Sequence, residues 1–324
     1  MSVVTWNDIA AARERISGRV HRTPVLTCSA IDRLSNAHVF FKCENFQRTG
    51  SFKFRGATNA VASLAPEERV RGVYAHSSGN HAQALALAAA IHGIPAHIVM
   101  PENSSPVKVA ATKGYGARVV FCPPTHRGRR EAAQRIGEET GAVFVHPHDD
   151  PSVIAGQGTA AAELIDEADE LDLILAPVGG GGLLSGALIA AGHLAPTAKV
   201  IGCEPAGADD AYRSLNEGRR ITDFAPITIA DGLRTPLGEN TFAILRERVD
   251  RIVLVSEEKI LEAMQTVWER MKIVIEPSSA VAVAPLLERE IDAEGKRVGV
   301  ILSGGNVDLL TFFTDLANDV SATA

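Results

Sequence analysis

The sequence predicts an α/β fold with mainly parallel sheets covered by helices on both faces. Short β-branched runs alternate with Ala-rich stretches of helical length from one end of the chain to the other, as successive βα units do. Several runs are apolar throughout, Leu-Ile-Leu-Ala-Pro-Val at 173–178 being the clearest, and strands buried on both faces read that way. At 324 residues and 46% hydrophobic content the chain can bury a substantial core, and the length suggests about two domains.

Taken in order, the expected strands of the first half are 39–42 (Val-Phe-Phe-Lys), 73–75, 96–100 (Ala-His-Ile-Val-Met), 118–121 and 142–145. Those of the second half are 173–178, 200–203, 251–255 and 297–302. Helices are expected at 5–16, 54–63, 79–92, 105–113, 128–140, 158–167, 183–191 and 257–270. No repeat, low-complexity tract or long linker separates them, so a second domain must be an insertion or an intimate lobe.

Composition removes several function classes. The net charge is -7 with no basic block, which disfavours nucleic acid as a partner. Cys28, Cys43, Cys122 and Cys203 are far apart and form no CxxC pair. They read as small buried residues of a reducing compartment, neither disulfides nor zinc ligands. No apolar run approaches the roughly 18 residues of a membrane span and no signal peptide is visible. A soluble, cytoplasmic protein is expected.

Five segments look too specialised to be mere turns, and most lie at strand ends, where open α/β sheets place ligands. In Thr49-Gly50-Ser51-Phe52-Lys53-Phe54-Arg55-Gly56 a lysine stands between two phenylalanines at a helix start. It is either a snorkelling surface lysine or an amine whose pKa is lowered by desolvation, as a Schiff-base nucleophile needs. Gly179-Gly180-Gly181-Gly182 lies between a buried strand and a helix. Converging backbone N–H groups and the helix dipole suit an anion there, most naturally a phosphate. Neither GxGxxG nor GxxxxGK[ST] occurs, which weakens dinucleotide and P-loop readings. Ser77-Ser78-Gly79-Asn80-His81 carries more hydrogen-bonding groups than a helix cap requires and suits a carboxylate. Ser303-Gly304-Gly305-Asn306 follows a strand and is also a good plain turn. Glu204-Pro205-Ala206-Gly207-Ala208-Asp209-Asp210 is either a site for a hard cation or a solvated acidic loop.

In this order and spacing, together with Ile229-Ala230-Asp231-Gly232 and Glu276-Pro277-Ser278, these segments resemble the fold-type II pyridoxal-phosphate enzymes. The group is that of serine racemase, serine/threonine dehydratase and 3-hydroxyaspartate ammonia-lyase. The resemblance runs from about residue 9 to 310. Cysteine-synthase-like relatives fit less well, because they usually carry Thr-Gly where this chain has His81.

The resemblance implies a two-lobed, tryptophan synthase β-like fold. Residues 1–71 and 147–324 would form a large cofactor-binding domain, and 72–146 a small mobile one. It implies that Lys53 carries the cofactor. Phe52 and Asn80 would contact its ring, Gly179, Gly180, Gly181, Gly182 and Leu183 its phosphate, and Ser303 its ring nitrogen. A serine there leaves that nitrogen unprotonated and the ring a weaker electron sink, which favours β-elimination. Ser78 resembles the acid/base opposite Lys53 in racemases, and Ser77, Ser78, Asn80 and His81 would hold the substrate. Glu204, Ala208 through its carbonyl, and Asp210 match a site for Mg2+ or Ca2+. A homodimer is the family's habit.

Arg129, within Thr125-His126-Arg127-Gly128-Arg129-Arg130-Glu131, matches a segment that overhangs the substrate side chain, facing Arg234 and Thr235. Either these arginines form a solvated helix face, or Arg129 meets a second substrate carboxylate through its fork. The second alternative favours 3-hydroxyaspartate, giving oxaloacetate and ammonia. A serine/threonine dehydratase and an amino-acid racemase are the alternatives with the same residues. A nicotinamide dehydrogenase is disfavoured by the missing fingerprint, and a non-catalytic binding protein by an intact Lys53.

Overall fold

The structure, a computed structural model, describes residues 3–309 and 314. The end of the expected large domain, residues 310–313 and 315–324, lies outside the described residues. The described strands sort into two sheets. The larger runs in the order β1 (Val25–Leu26), β2 (His38–Cys43), β10 (Arg297–Leu302), β7 (Leu173–Pro177), β8 (Lys199–Pro205) and β9 (Arg251–Val255). All neighbours are parallel except β1 and β2. In its centre Val300 stands level with Phe41 on one side and Leu175 on the other. The smaller sheet is all parallel, in the order β5 (Arg118–Cys122), β4 (Ala96–Pro101), β3 (Val73–His76) and β6 (Val143–Phe144). It draws its strands from residues 73 to 144 alone. The two-residue β1 was not expected; it is too short to leave a pattern.

Helices cover both sheets, as strands this apolar require. They are α1 (Trp6–Ile16), α2 (Ser29–Ser35), α3 (Lys53–Ala62), α4 (Pro66–Arg71), α5 (Asn80–Ile91), α6 (Pro106–Gly114) and α7 (His126–Thr140). Then follow α8 (Pro151–Ala168), α9 (Gly182–Leu194), α10 (Asp210–Glu217), α11 (Glu239–Arg248), α12 (Glu257–Met271), α13 (Pro277–Ala280) and α14 (Ala284–Leu287). No helix among the described residues is long and apolar enough to cross a membrane.

α2, α4, α10, α11, α13 and α14 were not expected, and among the expected helices α8 departs most from its bounds. It was expected at 158–167 and begins seven residues earlier, at Pro151. Asp150 caps it by accepting from the backbone N–H groups of Ser152 and Val153, and Pro151 fills the first turn. Gly156 breaks the helical pattern just before the expected start at Gly158. Both glycines are needed for close packing. A Cβ on Gly156 would lie 2.6 Å from Gly56 Cα of α3, and one on Gly158 would lie 3.0 Å from Gly186 O of α9. α3, α8 and α9 thus meet backbone to backbone, and this layer carries both Lys53 and the glycine turn into position.

Candidate active site

Parallel strands deliver their following loops to one edge of a sheet. β7 leads into Val178 and the four glycines, β10 into Ser303, and β3 into Ser77. An isolated bridge between Ser51 and Gly304 ties the lysine loop to the Ser303 loop. Three segments more than 100 residues apart therefore share one floor.

Lys53 opens α3. Its Nζ donates to the Pro147 carbonyl at 2.8 Å and lies 5.1 Å from the centre of the Phe52 ring. Burial lowers this amine to about 8, with the Glu276 carboxylate pulling the other way. The snorkelling alternative therefore fails, since the amine is turned inward.

The four glycines are all buried, and each is closed to a side chain by the protein itself. A Cβ would meet Leu233 Cα at 2.8 Å from Gly179, the His148 ring at 2.3 Å from Gly180, and Leu237 at 2.8 Å from Gly181. From Gly182 it would meet His148 O at 2.8 Å. Gly181 has φ +84, a left-handed conformation open to glycine. Thr241 Oγ1 donates to Gly180 O at 2.8 Å, so the turn is held rather than loose. Gly182 and Leu183 begin α9, whose N-terminus favours negative charge.

Ser77 and Ser78 occupy the turn between β3 and α5, and Ser77 Oγ accepts from the Gly79 N–H at 3.3 Å. The Asn80 amide is engaged at both ends: it donates to Glu276 Oε1 at 2.9 Å and accepts from Asn306 Nδ2 at 2.9 Å. The side chain of His81 differs from its expected role. It is buried, with Nε2 on the Val145 carbonyl at 3.1 Å, and burial lowers it to about 3. Its Nδ1 is buried without a partner, and its backbone N–H lies at the start of α5. Ser303 Oγ is buried 3.1 Å from Ser279 Oγ, which also donates to Gly304 O at 2.6 Å.

Arg127 pairs with Glu131 at 2.6 Å in solvent, as the solvated-face alternative requires. Arg129 departs from it: its Nε is buried and has no hydrogen-bond partner. Its neighbour Arg130 lines, with Ala133 and Gly137 of the same helix and His76 and Phe144 of the small sheet, a groove of about 590 Å³; Arg129 is not among its lining residues. Arg234 does not face the site as expected. Its guanidinium folds back onto the Thr228 carbonyl, leaving Thr235 exposed at the loop's tip. The same loop meets α6 through Lys108 and Asp231, 2.5 Å apart.

Glu204 and Asp210 are both fully buried and Ala208 nearly so. Glu204 accepts the Ala211 and Tyr212 N–H groups, both at 2.8 Å, which caps α10. Asp210 Oδ2 accepts from Leu237 N at 3.3 Å, while Oδ1 is buried without a partner. Burial and then Asp210 raise Glu204 well above the ordinary carboxylate range, and burial raises Asp210 to about 7. Among the described residues no three His, Cys, Asp or Glu side chains gather as a metal-binding group.

Glu276 was quoted in a motif without a role. It is the acid of the site, buried, bonded to Asn80 and to Asn306 N, and raised to about 7 by burial and Asp231. Its one sequence signal is an acid placed immediately before a proline in an otherwise apolar stretch.

An inward-turned amine of lowered pKa beside a closed glycine turn at a helix N-terminus suits a cofactor carrying both an aldehyde and a phosphate, and these residues fit it. This defines the class as carbonyl-cofactor enzymes on a two-sheet α/β scaffold. Comparison with known proteins agrees. The family described as "Pyridoxal-phosphate dependent enzyme" matches residues 16–304, and the chain belongs to it. A "beta-hydroxyaspartate dehydratase" of Paracoccus denitrificans is 47% identical, over 95% of this chain and 98% of its own. An "L-threo-3-hydroxyaspartate ammonia-lyase" of Saccharomyces cerevisiae is 47% identical, over 97% of each chain. The crystal structure of serine racemase from Dictyostelium discoideum superposes with a TM-score of 0.91 at 49% identity, covering 94% of this chain and 99% of that one.

Proposed function

We propose that this enzyme is an ammonia-lyase that converts 3-hydroxyaspartate to oxaloacetate and ammonia. The observation that carries the substrate is Arg129. A guanidinium nitrogen buried without a partner is costly, and a second substrate carboxylate would satisfy it as a threonine methyl would not. The two hydroxyaspartate-directed relatives support the same choice.

Pyridoxal phosphate, when bound, supplies the electron sink for charge developing at the α-carbon. The rest falls to side chains. The N–H groups at the start of α5, with Ser77, hold the α-carboxylate. The Lys53 amine, which burial lowers to about 8, takes the α-proton in its neutral form, a step worth about 10²–10⁴-fold. The hydroxyl then leaves from the β-carbon, and water returns at the α-carbon as ammonia departs. Ser78, in the turn between β3 and α5, would be the second acid/base of this reading and would permit racemisation as a second outcome.

A divalent cation at Glu204, the Ala208 carbonyl and Asp210 belongs to this reading. Two buried carboxylates and the orphan Asp210 Oδ1 support it. A cytoplasmic homodimer completes the proposal.

The test compares kcat/KM for hydroxyaspartate, serine and threonine in the wild type and Arg129→Ala. Loss of the charge-assisted pair should cost about 2–5 kcal/mol for the diacid and far less for serine. Preference of the wild type for threonine, or an equal loss on all three substrates, would replace this reading with a serine/threonine dehydratase.

A further inference from the structure

Arg55 follows Lys53 by two residues and is completely buried. Its fork is saturated. Nε and Nη2 donate to the two oxygens of Glu44, both at 2.8 Å. Nη1 and Nη2 donate to the two oxygens of Glu163, again both at 2.8 Å, and Nη1 reaches Thr159 Oγ1 at 3.2 Å. Lys42 Nζ closes the cluster, 2.7 Å from Glu163 Oε2 and 2.6 Å from the Thr23 carbonyl. Two cations and two carboxylates leave it neutral.

Buried ion clusters seldom stabilise more than apolar packing would, so a reason beyond stability is needed. The geometry offers one. Glu44 ends the β2 segment, whereas Thr159 and Glu163 belong to α8, and the residues leading into α8 include Pro147. Pro147 supplies the carbonyl that holds the Lys53 amine. The helix that carries the amine and the segment that carries its acceptor are thus both fastened to one guanidinium.

We propose that Arg55 is a positioning residue for Lys53, its grip on Glu163 fixing α3 against α8 and its grip on Glu44 fixing α3 against the end of β2, and so fixing the amine against the Pro147 carbonyl. Lysine cannot substitute, because a point charge lacks the fork that engages two carboxylates at once. Gly56 and Gly156 serve the same junction from the other side, their near contact letting α3 and α8 approach closely enough for the fork to span them. The inference depends on where Lys53 sits and holds for any amino-acid substrate, so its failure would leave the hydroxyaspartate assignment standing.

Other ionisable groups face the amine, and the test must separate Arg55 from them. Glu276 comes from the segment before α13, His81 from α5, and His146 and His148 from the segment before α8, with His76 of β3 behind them. None lies on α3.

The experiment removes the cofactor from the full chain and labels it with trace acetic anhydride across pH, reading Lys53 acetylation by mass spectrometry. Uptake of pyridoxal phosphate at pH 7 is timed in parallel. In the wild type Lys53 should be half-reactive near the value of about 8 set by its burial. In Arg55→Lys and Arg55→Met the midpoint should rise by at least one unit toward the ordinary lysine value. Uptake should slow by tenfold or more, because each unit removes about nine-tenths of the free base. Ile136→Ala, in the separate cluster between α7 and the four-stranded sheet that holds no residue of α3 or α8, serves as a control that lowers Tm without touching this junction and should leave the midpoint in place. Arg55 variants that lose Tm as the control does, with the Lys53 midpoint unmoved, would reduce Arg55 to a structural residue and overturn the proposal. Should Arg55→Met fail to fold, Glu44→Gln keeps the side-chain volume while removing one carboxylate charge, and the same two outcomes decide.

Discussion

His146 shows how much of the site's chemistry is set by a single ring's surroundings. Its Nδ1 accepts the N–H groups of His148 at 3.3 Å and Asp149 at 2.9 Å, which fixes the neutral form with the proton on Nε2. Burial lowers it to about 4, below the ordinary value of about 6.5 that it regains on unfolding. Between those two values the unfolded chain binds a proton that the folded one does not. The group therefore costs nothing above pH 6.5 and withdraws stability as pH falls toward 4. His146→Asn keeps an acceptor for the two N–H groups and removes the titration. Urea unfolding of cofactor-saturated protein should lose less stability between pH 6 and 5 in the variant, by at most about 1.4 kcal/mol per pH unit. Equal slopes in both proteins would show that the imidazole is already charged when folded. None of this was legible beforehand. The sequence shows His-Pro-His after a strand, but not that the following backbone turns its N–H groups onto the first ring.

Among the elements, glycines decide what could be read. The loops at 77–81, 179–182 and 303–306 were legible because their residue types are chemically conspicuous and sit at strand ends. The first half of α8 was hidden, because helix propensity counts against Gly156 while the contact that requires it comes from α3, far away in sequence. What Glu276 and Asn306 do within their motifs was hidden for the same reason, since their partners are Asn80 and Thr49. Two alanine substitutions separate packing from propensity. Gly156→Ala puts a Cβ within 2.8 Å of Arg55 O, and such overpacking costs about 1–3 kcal/mol, outweighing the roughly 1 kcal/mol gained from helix propensity. Gly192→Ala, in α9, meets only Arg248 Nη1 at 3.7 Å and should keep that gain. Differential scanning calorimetry should therefore show Tm falling for the first and holding or rising for the second. A rise for both would mean that the α3–α8 contact is looser than these distances.

For the molecule as a whole, the charge buried beneath α10 is the feature most open to outside control. After thorough chelation, added Mg2+ or Ca2+ should raise Tm with ion concentration, as a ligand that binds only the folded state does. Asp210→Asn should abolish the rise. A Tm indifferent to the ion would make Glu204 simply the cap of α10. The order of strands in the larger sheet has a different consequence, one for the chain's birth. β10 is the last strand among the described residues, yet it occupies the middle of that sheet, between β2 and β7. A ribosome releases β2, β7, β8 and β9 before the strand that joins the first to the rest. The nascent chain must therefore wait with a vacant slot, its two flanking strand edges unpaired and prone to mispair. The smaller sheet, drawn wholly from the first half of the chain, has no such gap and can assemble early. Capture of the cofactor, whose floor needs Ser303 beside Ser51, becomes possible only once β10 has emerged, and chaperone demand should peak just before that point.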